Sequence, residues 1–323
     1  MPLFVYDIWP DGRAEPVPDS NSGANTGADA TGPGAYRWHH YDLSDPELAG
    51  WAARHLHPIP AAALQHSETR PRCDSYEDGL ILNLRGVNLN PGQQSDQMVA
   101  IRIWVTQKTI VTARMRRAFA LEEIRAACLE GAAPPSTASF LVALVGILGL
   151  WVRDAMLDID ATTEELELQH EDDDQPDPEA SALTEPRRKV IRMLRYMQPQ
   201  GEALTRLLHM DTPVLTKHDR IALREPVNLM ELSVEGLTAL KSRLEALQDA
   251  ANAVATARLG RNSYGLSLVA AVFLPLGFVT GLFGVNVGGM PGLESAAAFA
   301  LLCIGLTILG VGCVLVLKWL RLL

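Results

Sequence analysis

Basic residues are scarce in this sequence relative to acids. It holds 28 Lys and Arg against 38 Asp and Glu, a formal net charge of −10 over 323 residues. A chain that meets phosphate backbones needs a cationic face, so nucleic acid is excluded as the expected partner. Cysteine is also rare. Cys73, Cys128, Cys303 and Cys313 form no CxxC pair, and two of them lie inside an apolar run. That excludes a disulfide framework or a zinc ribbon and points to a reducing compartment. The opening residues MPLFVYDIWP lack both a basic start and a long apolar core, so no secretory signal peptide is expected. No GxxxxGKS/T, GxSxG or HExxH occurs. Nucleotide-driven, serine-hydrolase and zincin chemistries therefore lack their residues; no enzyme activity and no cofactor are expected.

The scarcity with most consequence is that of charge in the last fifth of the chain. From residue 263 onward the charged side chains are Glu294, Lys318 and Arg321. Two apolar runs fill that region, Tyr264 to Val285 and Ala296 to Leu317. At about 1.5 Å rise per residue, each helix would span the roughly 30 Å hydrocarbon layer of a bilayer. Arg258 and Arg261 flank the first run, Lys318 and Arg321 flank the second, and the turn between has no base. The positive-inside rule then puts both termini in the cytoplasm and the turn outside. A third stretch, SFLVALVGILGLWV at 139–152, is too short for a span and is read as a buried helix.

The remaining sequence divides by pattern. LFVYDIW, YRWHHYDL, LILNLRGVNL, QMVAIRIWV and TIVTAR have the β-branched and aromatic content of short strands. The expectation is an α+β cytoplasmic domain with long helices, followed by two transmembrane helices. Its parts are an α/β domain over 1–118 with a flexible loop at 10–34, and a helical region over 119–226 containing a long antiparallel pair. A stalk helix follows over 227–262, then a first transmembrane helix over 263–285 and an outer turn over 286–295. A second transmembrane helix over 296–317 and a basic tail over 318–323 end the chain. An unbroken helix from the stalk through the first span would be about 87 Å long. A rod of that length implies copies packed side by side.

The first span carries a stripe of small residues. Steps of four and three give Ser263, Ser267, Ala270, Leu274, Gly277, Gly281 and Gly284, leading to Asn286. Such a stripe suits close helix packing, or the wall of a pore wide enough for a hydrated ion. Asn286 suits a helix cap, or, repeated in a symmetric ring, a collar of amide oxygens around the water shell of a cation. The histidines offer no zinc-ligand spacing. His39 and His40 are adjacent and would face opposite ways in a strand, and His55 and His57 sit at a helix end. His170 with Glu171, Asp172, Asp173 and Asp174 could collect cations, or be a solvated loop. The metal ligands are left unknown.

Gly284-Val285-Asn286 followed by Met290-Pro291 resembles the signature of the CorA-type metal transporters, and GLFGVNVGGMPG resembles the zinc-transporting ZntB branch. SETRPRC (67–73), DQMVAIRIWV (96–105), RRKVIRMLRYMQPQ (187–200) and VFLPLGFVTGLFGVN (272–286) extend the resemblance along nearly the whole chain. The resemblance implies a CorA-like, funnel-shaped homopentamer in the bacterial inner membrane. It implies a first span that lines the pore with Ser263 to Gly281, a selectivity motif at Gly284, Val285 and Asn286, and a basic ring at Lys318 and Arg321. The implied cargo is Zn²⁺ among divalent cations, and the implied activity is uptake, with proton-linked uptake as one form of it. Val285 stands where that family has Met, and Phe283 where it has Tyr. Gly288 and Gly292 stand where the magnesium transporters carry acids. Mg²⁺ sheds water reluctantly and is drawn to acidic mouths, so a neutral mouth favours the zinc branch. The alternatives are a CorA-type Mg²⁺/Co²⁺ channel and a membrane-tethered cytoplasmic sensor.

Overall fold

The computed structural model describes residues 2–17, 34–67, 70–171, 180–285 and 297–320. By its contacts the chain divides into two compact units, Met1–Gln248 and Asp249–Leu323.

The first unit is built on one seven-stranded sheet. Its strands are β1 (Phe4–Ile8), β2 (Ala14–Pro16), β3 (Tyr36–Asp42), β4 (Arg72–Tyr76), β5 (Gly79–Gly86), β6 (Val99–Val105) and β7 (Thr109–Arg114). Their order is β2-β1-β3-β7-β6-β5-β4, and β3–β7 is the parallel pair among antiparallel ones. The five strands read from the sequence are all present. The two missed ones, β2 and β4, are the edges. Part of the stretch read as flexible loop 10–34 is thus strand: Tyr6 and Asp7 pair with Pro16 and Glu15. Residues 18–33 lie outside the described residues.

Strand alternation sends neighbours to opposite faces, and both faces are covered. On one, helices α1 (Pro46–His55) and α2 (Pro58–Gln65) bury Leu48, Trp51 and Leu64 against Tyr41, Ile81, Trp104 and Val111. On the other, the Trp38 ring packs edge-on against Phe140 at 4.9 Å. This explains why β5 and β7 are buried almost throughout. Asp7 and Arg37 are directly opposed in the β1–β3 register and form an ion pair, Nε to Oδ1 2.6 Å, with side chains 14 % and 7 % exposed. A one-residue slip would bury both charges unpaired, so the pair fixes the register.

Helices α3 (Phe119–Leu129), α4 (Thr137–Glu171) and α5 (Ala180–His209) follow. Phe140, Leu141, Leu144, Val145, Leu148 and Val152 of α4 are buried in the first unit, so the 139–152 stretch is core. Leu148 and Gln200 both reach one end of β5, the first near Gly86 and the second through two bonds to the Arg85 backbone (2.6 and 3.1 Å). The long pair α4–α5 therefore folds back on itself.

Helix α6 (Lys217–Phe283) is one element of 67 residues. It starts ten residues before the stalk start read at 227, with Pro226 inside it. A proline removes one backbone donor and adds bulk. Two glycines of α4 lie along this part of α6: a Cβ at Gly146 would stand 4.0 Å from the Pro226 ring, and one at Gly149 would stand 3.3 Å from Leu229. The same spacing repeats along the pair, with Met156 against Gly236, then Asp160 and Glu167 on Arg243 at 2.6 and 2.9 Å. α4 and the first part of α6 thus run in the same direction.

The second unit holds the end of α6 and helix α7 (Ala298–Trp319). The first apolar helix ends at Phe283 rather than 285, and the second runs two residues later than the 296–317 read from the sequence.

Candidate ion pathway in the C-terminal helices

The end of α6 is apolar with a mean hydropathy of 2.2 in its best window, and α7 reaches 2.7. Both are long and apolar enough to cross a membrane. α4 meets the same length and composition criteria at 1.9, but 39 % of its window is buried inside the protein, against none for α6. Neither C-terminal run contains Asp, Glu, His, Lys or Arg before Lys318. Their hydroxyls turn inward to their own helix. Ser267 donates to the Ser263 carbonyl at 2.9 Å, Thr280 to Leu276 at 3.0 Å, and Thr307 to Cys303 at 2.8 Å. Internal satisfaction of this kind is what hydrocarbon requires.

The half-buried positions of this part of α6 are Leu268, Val272, Pro275, Leu276 and Val279. They recur with helical period on one face, and Leu276 among them meets α7, where a Cβ on Gly310 would stand 3.7 Å away. Ser263, Ser267, Ala270, Leu274, Gly277 and Gly281 are all exposed. At about 100° per residue their stripe is centred roughly opposite the α7-facing side. A Cβ at Gly277 or Gly281 would meet nothing within 4 Å. Among the described residues the small side chains therefore do not pack against another part of the chain. The residues facing α7 are the part of the site that sequence reading missed, although their period-3.6 spacing is legible in the sequence.

The helix stops where the signature begins. The Gly284 N–H reaches the Thr280 and Gly281 carbonyls at 2.9 and 3.2 Å, and Val285 follows as a bend. Asn286 and Arg321 lie outside the described residues. Lys318 is exposed in the last turn of α7.

No group of three or more His, Cys, Asp or Glu side chains that could hold a metal occurs among the described residues. The histidine pairs are engaged elsewhere. The His39 ring lies tilted against Trp51 at 4.7 Å, while His40, on the other face of β3, lies 4.8 Å from Phe4 and bonds the Thr112 hydroxyl at 2.8 Å. Burial pushes the His40 pKa down to about 3, with the charge of Arg114 acting in the same direction. His55 Nδ1 bonds the Trp51 carbonyl at 2.9 Å, and His57 Nδ1 bonds the Tyr76 hydroxyl at 2.7 Å. Of the acidic cluster after His170, Asp172 to Asp174 lie outside the described residues.

The chain thus joins a unit with helices on both faces of a sheet to two C-terminal helices long and apolar enough to cross a membrane. The family described as "CorA-like Mg2+ transporter protein" matches residues 33–319, and the chain belongs to that family of divalent cation transporters. It is 33 % identical over 277 residues to the zinc transport protein ZntB of Pectobacterium atrosepticum, covering 84 % of this chain and 83 % of that one. It is 29 % identical over 270 residues to the divalent cation transporter CmaX of Pseudomonas aeruginosa, covering 83 % and 81 %. The solved full-length CmaX structure superposes with a TM-score of 0.83 at 26 % identity, covering 99 % of this chain and 98 % of that one. The CorA magnesium transporter of Methanocaldococcus jannaschii shares the fold at a TM-score of 0.73 and 12 % identity, each chain covered to 98 %.

Proposed function

We propose that this protein carries Zn²⁺ inward across the bacterial inner membrane through a pore formed by five copies, with both termini cytoplasmic. The observation that carries the reading is the exposed small-residue stripe of α6, turned away from α7. In a ring of copies that stripe faces its equivalents, and exposed backbone with small side chains leaves room for a hydrated cation. Gly284, Val285 and Asn286 stand at its outer end, where five Asn286 amides would form a collar that holds water-clad ions. Lys318 and Arg321 flank the other end of the bilayer as a basic ring, in keeping with the positive-inside rule.

Zinc is favoured over magnesium by the kinship with ZntB proteins and by Gly288 and Gly292, which leave the mouth without carboxylates at those places. A divalent ion gains about 4.6 kcal/mol moving inward at 100 mV, which supports uptake over efflux. The spans hold no ionisable relay of the Asp, Glu, His, Lys or Arg kind. Coupling to protons would have to use cytoplasmic carboxylates and histidines, Glu294 or pore water.

The test is ion competition in proteoliposomes containing the purified protein. Zinc influx that persists in a large excess of Mg²⁺ and is suppressed by Cd²⁺ or Ni²⁺ supports the reading. Influx of Mg²⁺ or Co²⁺ that excludes zinc gives the channel to those ions instead, and absence of any flux leaves a membrane-tethered sensor.

A further inference from the structure

The first unit contains a cavity of about 560 Å³ between strands β5 and β6 and helix α5. Its size lies within the range of about 300–1,000 Å³ usual for small-molecule sites. Its charge is one-sided. Arg85 and Arg102 reach it from the sheet, Arg116 from the turn after β7, and Arg192 and Arg195 from α5. Asp96 is the acid among the described lining residues. This gathering of guanidiniums occurs in a chain with a net charge of −10, so it is not the spill-over of a generally basic surface.

Arg102 is the informative residue. It is 1 % exposed. Its Nε and Nη2 donate to the carbonyls of His66 and Ser67 at 2.7 and 2.8 Å, which accounts for a structural role in holding that turn. Its Nη1 is buried with no partner. A buried guanidinium donor left unmade is costly, and among the described residues no carboxylate pairs with the charge. Asp96 does not supply one: it accepts from Arg192 Nη1 at 3.0 Å, and its other oxygen is itself buried and without a partner. Arg195 and Arg116 stand exposed at the rim, with Arg116 bonded to Gln93 at 3.2 Å.

We propose that this cavity binds a small oligophosphate anion, held between the sheet and α5. Guanidinium forks match tetrahedral oxyanions with paired, charge-assisted bonds. A single phosphate would answer one or two of the arginines, whereas linked phosphates can reach Arg102 at the base and the rim pair together. The site is independent of the transport pathway, so it stands or falls separately from the zinc reading.

The experiment is titration calorimetry on the full-length protein in detergent, with chelator present so that metal binding contributes nothing. The probes are inorganic phosphate, pyrophosphate and ATP. The expected result is saturable binding of pyrophosphate and ATP, both tighter than phosphate. The Arg116→Gln/Arg195→Gln double variant should raise the dissociation constant about tenfold or more. These two side chains are exposed, and an unchanged melting curve without ligand will confirm that the variant is folded. The proposal is overturned if pyrophosphate gives no saturable heat, if phosphate binds as tightly as pyrophosphate, or if the folded variant binds undiminished. ATP binding without pyrophosphate binding would also overturn it, because the base and not the phosphates would then be recognised.

Discussion

Gly310 of α7 lies against Leu276 of α6, where an added Cβ would come to 3.7 Å from the leucine Cδ1. Gly305, on the same helix, has nothing within 4 Å. Gly310→Leu should therefore force the two helices apart, at a cost of about 1–3 kcal/mol typical of overpacking. Gly305→Leu should be mild. Thermal melting of the detergent-solubilised protein compares them directly, and equal melting temperatures would contradict the contact.

The exposed stripe makes a sharper distinction within α6 itself. Gly281→Leu should block flux or assembly, because it places a branched side chain where copies or ions meet. Val279→Leu, on the side toward α7, should be mild. Size-exclusion profiles with zinc uptake measured on the same preparations separate assembly from conduction. Equal tolerance at both positions would remove the argument from the stripe.

Asn286→Ala should leave the assembled protein intact and abolish selective uptake. The measurement is the ratio of zinc to magnesium influx for each protein at matched protein density. A variant that transports zinc with wild-type selectivity would take the selectivity role away from Asn286.

Buried His40 gives a pH dependence in the first unit. Its folded pKa is held at about 3, below the ordinary value of 6.5, first by burial and then by Arg114, with the Thr112 hydrogen bond opposing. The unfolded chain therefore binds a proton that the folded chain refuses throughout the window from about 6.5 down to 3. His40 stability is fully present above that window and is lost as pH falls through it. Melting temperature should drop between pH 7 and pH 5, and the drop should be smaller in His40→Gln. Identical pH slopes for the two proteins would show that His40 does not titrate this way.

Much of this architecture was legible in the sequence because burial imposes strong patterns. Strands β3, β5, β6 and β7 lie inside the sheet and read as β-branched and aromatic runs. β2 and β4 are its edges: Ala14–Pro16 has three residues, and in Arg72–Tyr76 only Cys73 is fully buried. Neither edge carries enough apolar signal to stand out. The sequence reading starts the stalk at 227, just after Pro226, whereas the helix begins at Lys217 and runs through that proline. Its ring lies against Gly146 of α4, distant in sequence, and no local pattern reveals that. The small-residue stripe was visible as spacing, but its direction was not, since orientation depends on where α7 packs. The arginines of the sheet and α5 are likewise scattered from 85 to 195, and only the fold gathers them.

The central claim is tested most directly by a zinc-sensitive dye trapped in proteoliposomes, with membrane potential and pH gradient imposed separately. The account predicts zinc entry that accelerates when the interior is made negative, and loss of that entry in Asn286→Ala. Uptake indifferent to potential, or net export from an inside-negative vesicle, would contradict it.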